Sequence, residues 1–267
     1  MRNDIQTILF DLDGTLYQDF NFHRIFLHYL LLDTNKQSWE TRLIEFVEEV
    51  TQGKQLSMNS FYSEATIVAE NPDEYFVALS NSILPNMSYE ESFITNDIIY
   101  LGDVWSVLLL IGETLGILKH KNRNDIFVLT RADMETYAQP GDTSLLSALM
   151  KAKEKYQTLL LSNATDQVAK SYLDILGFQN AFSFIAGHAG KPGKLFEALE
   201  TYYPGISKRP KTILSIGDHA YNDLMPVKKV GGKTVWMNPF VNINEPLYDV
   251  KLKTISDLAG YINQLCD

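Results

Sequence analysis

Short runs of consecutive apolar residues are the first recognisable elements of this chain. They occupy residues 8–10, 159–161, 182–186, 213–216 and 234–237. None of these runs contains a charged residue, a pattern typical of strands buried on both faces of a parallel sheet. We therefore expect a sheet whose strands come from both ends of the sequence.

Helix ends can be recognised between these runs. Thr165 is a suitable N-cap for a helix that Gly177 would end, and Pro192 suits the first turn of the next helix. A further helix is expected from Tyr221 to the glycines at 231–232. Strand and helix therefore alternate over the second half of the chain, and the predicted fold class is α/β, with a doubly wound, mostly parallel, Rossmann-like sheet.

The stretch between the first run and this alternating region has a helical pattern. Apolar residues recur at helical spacing from Trp39 to Val50, and Asn71-Pro72 combines an N-cap with a first-turn proline. Another helical pattern covers residues 97–118. We expect an α/β core formed by residues 1–17 and 139–267, and a mostly helical insert formed by residues 18–138.

The charge balance narrows the classes of partner. The chain carries 23 Lys and Arg against 33 Asp and Glu, a formal net charge of −10. Sequence-independent binding of nucleic acid depends on cations that neutralise phosphates, so no nucleic-acid partner is expected. A phosphorylated substrate would need a local metal ion and a lysine to offset the surrounding negative charge.

Cysteine content and hydropathy indicate the compartment. Cys266 is the single cysteine of the sequence, so an internal disulfide is impossible, and the N-terminus does not read as a secretory signal. We expect a cytoplasmic location. The most apolar stretch, residues 104–111, is too short to span a bilayer, so no membrane association is expected.

Two carboxylates follow the first apolar run directly. Residues 11–15 read Asp-Leu-Asp-Gly-Thr, and Gly14 allows the chain to turn sharply. Ligands of open α/β sheets bind beyond the carboxyl ends of the strands, so Asp11 and Asp13 lie where a site would form. Asp and Gly also favour ordinary turns, so this segment by itself fits either interpretation.

Two other predicted strands end in polar residues as well. Ser162 and Asn163 follow the run at 159–161, while Asp218 and Asp223 follow the run at 213–216. Because the carboxyl ends of parallel strands meet at one edge of a sheet, these side chains are expected to converge with the first pair of carboxylates.

Together with Lys191-Pro192, these segments resemble the four motifs of the haloacid dehalogenase (HAD) superfamily. The matching segments, in the family's order, are Asp11 to Thr15, Ser162-Asn163, Lys191-Pro192, and Gly217-Asp218 through Asn222-Asp223. The resemblance covers the core and does not extend to the insert. It implies a three-layered, HAD-like α/β core and a cap domain placed between the first and second motifs.

The resemblance implies distinct roles for the first two carboxylates. Asp11 would attack phosphorus and form an aspartyl-phosphate. Asp13 would protonate the departing oxygen and later take a proton from water. Dehalogenating members of the superfamily lack an aspartate at this second position, so carbon–halogen cleavage is disfavoured.

The same resemblance implies a magnesium site and a phosphate site. Asp11 and Asp218 would bind Mg²⁺ through their carboxylates, Asp13 through its backbone carbonyl, and Asp223 directly or through water. The phosphate group would be bound by a hydroxyl, by amides and by an ammonium, which come from Ser162, Asn163 and Lys191. Lys194 is close enough in sequence to compete with Lys191 for the last role.

The predicted function is Mg²⁺-dependent hydrolysis of a small phosphorylated metabolite. A phosphomutase or a phosphonate-cleaving relative would use the same nucleophile and metal, and an inactive binding or regulatory module could keep the same fold. The sequence leaves open the substrate, the insert residues that select it, and the oligomeric state.

Overall fold

The computed structural model describes residues 4–241 and 244–267. The strands of these residues are, in chain order, β1 (Thr7–Phe10), β2 (Phe61–Ser63), β3 (Ile98–Tyr100), β4 (Gln157–Leu161), β5 (Phe184–Ala186), β6 (Ile213–Gly217), β7 (Lys233–Met237) and β8 (Val250–Leu252). Their α-helices are α1 (Phe22–Leu31), α2 (Glu40–Thr51), α3 (Pro72–Ser80), α4 (Val104–Thr114), α5 (Arg123–Tyr137), α6 (Thr143–Lys155), α7 (Asp166–Leu176), α8 (Leu195–Tyr202), α9 (Met225–Lys229) and α10 (Ile255–Cys266).

The chain divides into two compact units. The first contains the residues up to Gln18, Ala138–Pro239 and Pro246–Asp267, and the second contains Asp19–Tyr137 and Phe240–Glu245. The short segment Phe240–Glu245 differs from the expectation, which placed it in the core. Hydrogen bonds explain its position, because Asn59 Nδ2 donates to the backbone carbonyl of Asn244 at 3.0 Å and Asn244 Nδ2 donates to Ser60 Oγ at 2.8 Å.

A parallel sheet forms the centre of the first unit. Across the described ranges its strands number six and run in the order β5-β4-β1-β6-β7-β8. The direction of chain progression reverses beside β1, which lies between β4 and β6, and Phe10 stands opposite both Leu160 and Ile216. In such sheets ligands bind at the carboxyl ends of the strands beside this reversal.

Helices cover both faces of the sheet, as the doubly wound α/β prediction requires. On one face, α8 and α9 pack on alternate residues of the central strands, in a buried cluster that includes Leu9, Leu159, Leu161, Leu195, Leu199 and Val227. On the other, α6 packs against β4 and α10. Every residue of β1 is buried, which is why its sequence shows no alternation.

The predicted core elements agree closely with the observed ones. Helix α7 begins after Thr165, whose Oγ1 accepts a hydrogen bond from the Val168 backbone N–H at 3.2 Å, and it ends at Gly177 in the left-handed region. Helix α8 begins only at Leu195, so Pro192 lies in the turn before the helix and not in its first turn as expected. The helix expected from Tyr221 is a π-helical turn followed by α9.

The second unit is mostly helical. Its core consists of the buried faces of α1 to α5, with α4 buried almost all around. A polar contact lies inside this core, where Tyr75 Oη and Thr114 Oγ1 are 2.7 Å apart. The expected helix start at Asn71 is confirmed, since its side chain accepts from the Glu74 backbone N–H at 3.0 Å.

One predicted helix of this unit is partly wrong. The pattern at residues 97–118 begins with strand β3, which pairs antiparallel with β2, and α4 begins only at Val104. Ile98, Ile99 and Tyr100 have β-branched or aromatic side chains that favour a strand. Asp103 then caps α4, accepting from the Ser106 backbone N–H at 2.7 Å.

No helix within residues 4–241 and 244–267 combines the length and apolar character needed to cross a membrane.

Candidate active site

Asp11 directly follows the central strand of the sheet. Its backbone N–H donates to the Ile216 carbonyl at 3.0 Å, so the residue still belongs to the hydrogen-bond ladder with β6. Only 11% of its side chain is exposed. The carboxylate is therefore held at the carboxyl end of β1 by rigid backbone rather than by a free loop.

Lys191 forms an ion pair with two carboxylates at once. Its Nζ lies 2.6 Å from Asp11 Oδ1 and 2.6 Å from Asp223 Oδ1, and 4% of its side chain is exposed. A buried charge is tolerated when it is paired and hydrogen-bonded, and here the ammonium meets both conditions. Lys194, the competing lysine, is exposed at the start of α8.

Burial and neighbouring charges shift the pKa values of Asp11 and Lys191. Burial raises the pKa of Asp11 to about 7, while the Lys191 ammonium opposes that change and the charges of Asp223 and Asp13 add to it. Burial alone would lower the pKa of Lys191, but the two adjacent carboxylates outweigh burial, so its pKa lies above the ordinary value and the ammonium stays charged.

Asn163 holds the backbone of Lys191. Its Oδ1 accepts from the Lys191 backbone N–H at 2.8 Å, and its Nδ2 donates to the Lys191 carbonyl at 3.0 Å. The neighbouring Ser162 is buried, and its Oγ accepts from the Ala164 backbone N–H at 3.1 Å. Phosphate binding by Ser162 and Asn163 stays a prediction.

The other two carboxylates follow β6. Asp223 lies in a π-helical turn, Ala220–Leu224, and its Oδ2 accepts from the His219 backbone N–H at 3.1 Å. Ser215 Oγ donates to the Asp223 carbonyl at 2.7 Å, which ties this turn to the strand. Asp218 is fixed from the adjacent strand, because Trp236 Nε1 donates to its carbonyl at 2.9 Å.

Three of these carboxylates could hold a cation together. Asp11, Asp218 and Asp223 each offer one oxygen, and these oxygens lie within 4.8 Å of one another. Ligands of a hexacoordinate Mg²⁺ lie about 2.9 Å apart when adjacent and about 4.2 Å apart when opposite, so these oxygens would move closer together to bind one ion. The donor set is all oxygen, which suits a hard divalent cation. Lys191 supplies one positive charge, which leaves negative charge for such a cation to neutralise.

Asp13 has a phenol partner that the sequence did not predict. Tyr17 Oη donates to Asp13 Oδ1, and the Tyr17 ring stacks on Tyr172 with ring centroids 5.2 Å apart. In the sequence Tyr17 simply follows the first motif. Its spacing of four residues from Asp13 is the signal that could have indicated this contact.

The structure therefore brings Asp11, Lys191, Asp218 and Asp223 into one cluster. It places Ser162 and Asn163 after the neighbouring strand β4, as expected from the parallel register. The supporting hydrogen bonds from Ser215 and Trp236 were missed, because a serine or tryptophan inside an apolar run carries no sign of a polar partner.

The comparisons with known proteins show the family of the chain. A family model described as haloacid dehalogenase-like hydrolase matches residues 5–231. The chain therefore belongs to the haloacid dehalogenase-like hydrolase family. No curated protein sequence matches it significantly.

Solved structures share the fold at low identity. The HAD-hydrolase YfnB from Bacillus subtilis, in a structure bound to magnesium, is 16% identical with a TM-score of 0.54, and the match covers 97% of this chain and 99% of that one. The L-2-haloacid dehalogenase from Xanthobacter autotrophicus, with chloropropionic acid covalently bound, is 14% identical with a TM-score of 0.52, covering 97% and 98%. Such identities support the fold and leave the reaction to be argued from the site.

Proposed function

We propose that this protein is a Mg²⁺-dependent phosphohydrolase that cleaves small phosphomonoesters through an aspartyl-phosphate on Asp11. The observation that supports it most is the cluster in which Asp11, Asp218 and Asp223 offer oxygens within 4.8 Å of one another, with Lys191 paired to two of them. A small phosphorylated metabolite as substrate and a cytoplasmic location are part of this proposal.

The site residues fit the two halves of such a reaction. Asp11 attacks phosphorus and the ester P–O bond breaks. The electron pair of that bond passes to the leaving oxygen, which takes a proton from Asp13. Water then attacks the phosphorus of the aspartyl-phosphate and gives a proton to Asp13. Inorganic phosphate leaves and the Asp11 carboxylate is restored.

The metal requirement follows from the charge of the site. Asp11 and Asp218 are the direct carboxylate ligands in this proposal, and the backbone carbonyl of Asp13 is a further ligand. Asp223 acts through water, because its Oδ1 accepts from Lys191 and its Oδ2 from the His219 backbone. When bound, the cation would neutralise and orient the phosphoryl oxygens and keep Asp11 ionised.

Asp13 favours phosphate esters over haloacids. A departing alkoxide needs a proton, and a carboxyl group oriented by Tyr17 can supply it, whereas a departing halide needs none. Because a haloacid dehalogenase shares this fold, halide release from haloacids should be measured beside phosphate release.

The test combines product assays with trapping of the intermediate. Phosphate release from a panel of phosphomonoesters and halide release from 2-haloacids are measured with Mg²⁺ and with chelator. Rapid quenching with an activated aryl phosphate, followed by mass spectrometry, should show a phosphoryl adduct on Asp11. Asp11→Asn should show neither turnover nor adduct, and Asp13→Asn should form the adduct and hydrolyse it slowly.

Three results would contradict the proposal. Halide release without phosphate release would assign the other chemistry. An adduct on a different residue, or unimpaired turnover by Asp11→Asn, would exclude the covalent mechanism. Full turnover by Asp13→Asn would remove only the acid/base assignment.

A further inference from the structure

We infer that Asn163 is a positioning residue, which acts on the reaction by holding the Lys191 backbone rather than by binding the phosphoryl group. Both polar atoms of its carboxamide contact Lys191, with Oδ1 accepting at 2.8 Å and Nδ2 donating at 3.0 Å. The inference rests on the proposed function for its kinetic test, but its structural content can be measured without any substrate.

The loop that carries Lys191 is bonded to the segment after β4, where the Ala189 N–H donates to the Ser162 carbonyl at 3.0 Å and the His188 N–H donates to the Ala164 carbonyl at 2.7 Å. The Asn163 carboxamide adds the two bonds at the Lys191 backbone itself. The loop lies between β5 and α8, and Gly190, directly before Lys191, has a φ of +61°. Lys191 is 28 residues from Asn163 in sequence and belongs to no strand or helix. The Asn163 carboxamide therefore supplies the bonds that a neighbouring strand would supply inside a sheet.

The paired Lys191 ammonium requires a fixed backbone position. Lys191 Nζ must stay within 2.6 Å of both Asp11 and Asp223, because a buried ammonium that loses its partners is strongly unfavourable. A backbone shift of about 1 Å would lengthen at least one of these contacts, and displacements of that size lower enzymatic rates by roughly 10²-fold.

Direct contact with phosphate is the competing role. Asn163 is exposed at the strand end, and its Nδ2 carries a second proton beyond the one given to Lys191. The two roles differ in one respect. A positioning residue has no effect once the lysine is removed, while a direct phosphate ligand keeps its effect.

Hydrogen exchange tests the positioning directly. Exchange at the Lys191 amide, resolved by electron-transfer fragmentation, is compared in the wild type, Asn163→Ala and the control Asn263→Ala. Asn263 lies on α10, and its carboxamide also makes two hydrogen bonds. Its Oδ1 accepts from Lys151 Nζ at 3.0 Å, and its Nδ2 donates to the Ala259 carbonyl at 3.0 Å. Asn163→Ala should speed exchange at Lys191 roughly tenfold or more, and Asn263→Ala should not. Unchanged exchange in Asn163→Ala overturns the inference.

A double-mutant cycle tests the functional consequence. With an aryl phosphate, kcat of Asn163→Ala is compared with that of Lys191→Met and the double variant. Asn163→Ala should lower kcat more than it raises KM, and it should have no further effect in the Lys191→Met background. An undiminished effect in that background assigns direct phosphate binding instead and overturns the inference.

The two proposals can fail separately. A wild type that releases no phosphate, together with faster exchange at Lys191 in Asn163→Ala, would remove the phosphohydrolase and leave the positioning contact intact. If the wild type releases phosphate and Asn163→Ala leaves both the exchange rate at Lys191 and kcat unchanged, the positioning role of Asn163 fails and the phosphohydrolase proposal stands. If Lys191→Met does not fold, the exchange experiment still decides the inference.

Discussion

Gly14 leaves room for the Asp218 carboxylate. A β-carbon added at Gly14 would lie 2.0 Å from Asp218 Oδ2 and 2.6 Å from Asp218 Cγ, far closer than atoms can approach. Gly14 also has a φ of +69°, in the left-handed region. The glycine of the first motif is thus needed both for its backbone conformation and for a carboxylate on another strand.

Gly14→Ala should therefore reduce metal binding as well as stability. The left-handed conformation costs about 1 kcal/mol for alanine, and the displaced Asp218 should raise the Mg²⁺ concentration needed for half-maximal activity at least roughly tenfold. Gly177→Ala is the matched control, since Gly177 has a φ of +75° and nothing within 4 Å of an added β-carbon. Equal metal dependence in the two variants would contradict the steric argument.

Removal of the metal should abolish turnover. After treatment with chelator, Mg²⁺ should restore phosphate release from an aryl phosphate, and Ca²⁺ should not, because its larger and looser coordination holds the reacting groups less strictly. Phosphate release is followed at several concentrations of each cation. Full activity in excess chelator would show that Asp218 and its neighbours serve another purpose.

Tyr17→Phe should affect poor leaving groups most. The substitution removes the hydrogen bond from Tyr17 Oη to Asp13 and keeps the ring that stacks on Tyr172. Alkyl phosphates, whose leaving oxygen needs a proton, should lose roughly tenfold or more in kcat. An activated aryl phosphate should lose little, and an equal loss for both substrates would exclude an action through Asp13.

The buried His23 should lower the free energy of unfolding in mild acid. It is buried on α1, where its Nδ1 lies 2.6 Å from the Phe20 carbonyl oxygen and its Nε2 faces Glu48 at 3.5 Å. Burial lowers the pKa of His23 below its ordinary value, although Phe20 and Glu48 oppose that change and Arg24 adds slightly to it. Below about pH 6.5 His23 therefore binds a proton in the unfolded chain but not yet in the folded chain. The free energy of unfolding should therefore decrease as the pH is lowered.

His23→Gln should flatten this pH dependence. The contribution of one such histidine is at most about 1.4 kcal/mol per pH unit, measured from the free energy of unfolding in urea between pH 7.5 and 5. His28→Gln is the control, because His28 lies on the same helix with 50% of its side chain exposed. If both variants keep the wild-type slope, another group is responsible.

Much of the candidate site could be predicted because strand ends define it. Buried parallel strands are continuous apolar runs, and the polar residue after each run marks the edge of the sheet. Asp11, Asp218 and Ser162 were located in this way. Their convergence follows from the register that sets Phe10 opposite both Leu160 and Ile216.

The contacts that depend on loop conformation could not be predicted. Asn163 meets the Lys191 backbone across 28 residues of chain, and no local pattern encodes the direction of a carboxamide. Strand β8 was missed because it is short and only partly buried, so its residues form no apolar run. Strand β3 was read as helix because its three residues lead directly into the apolar sequence of α4.

The segment Phe240–Glu245 matters for any attempt to exchange parts between relatives. It belongs to the second unit although the 102 residues Ala138–Pro239 of the first unit precede it. Gly53 lies so close to it that an added β-carbon would be 2.9 Å from the Val241 carbonyl oxygen. A chimera built by transplanting residues 19–137 alone would leave Asn59 and Ser60 without their partner Asn244. The second unit is therefore discontinuous in sequence, and a chimera that keeps its contacts must include Phe240–Glu245 together with Asp19–Tyr137.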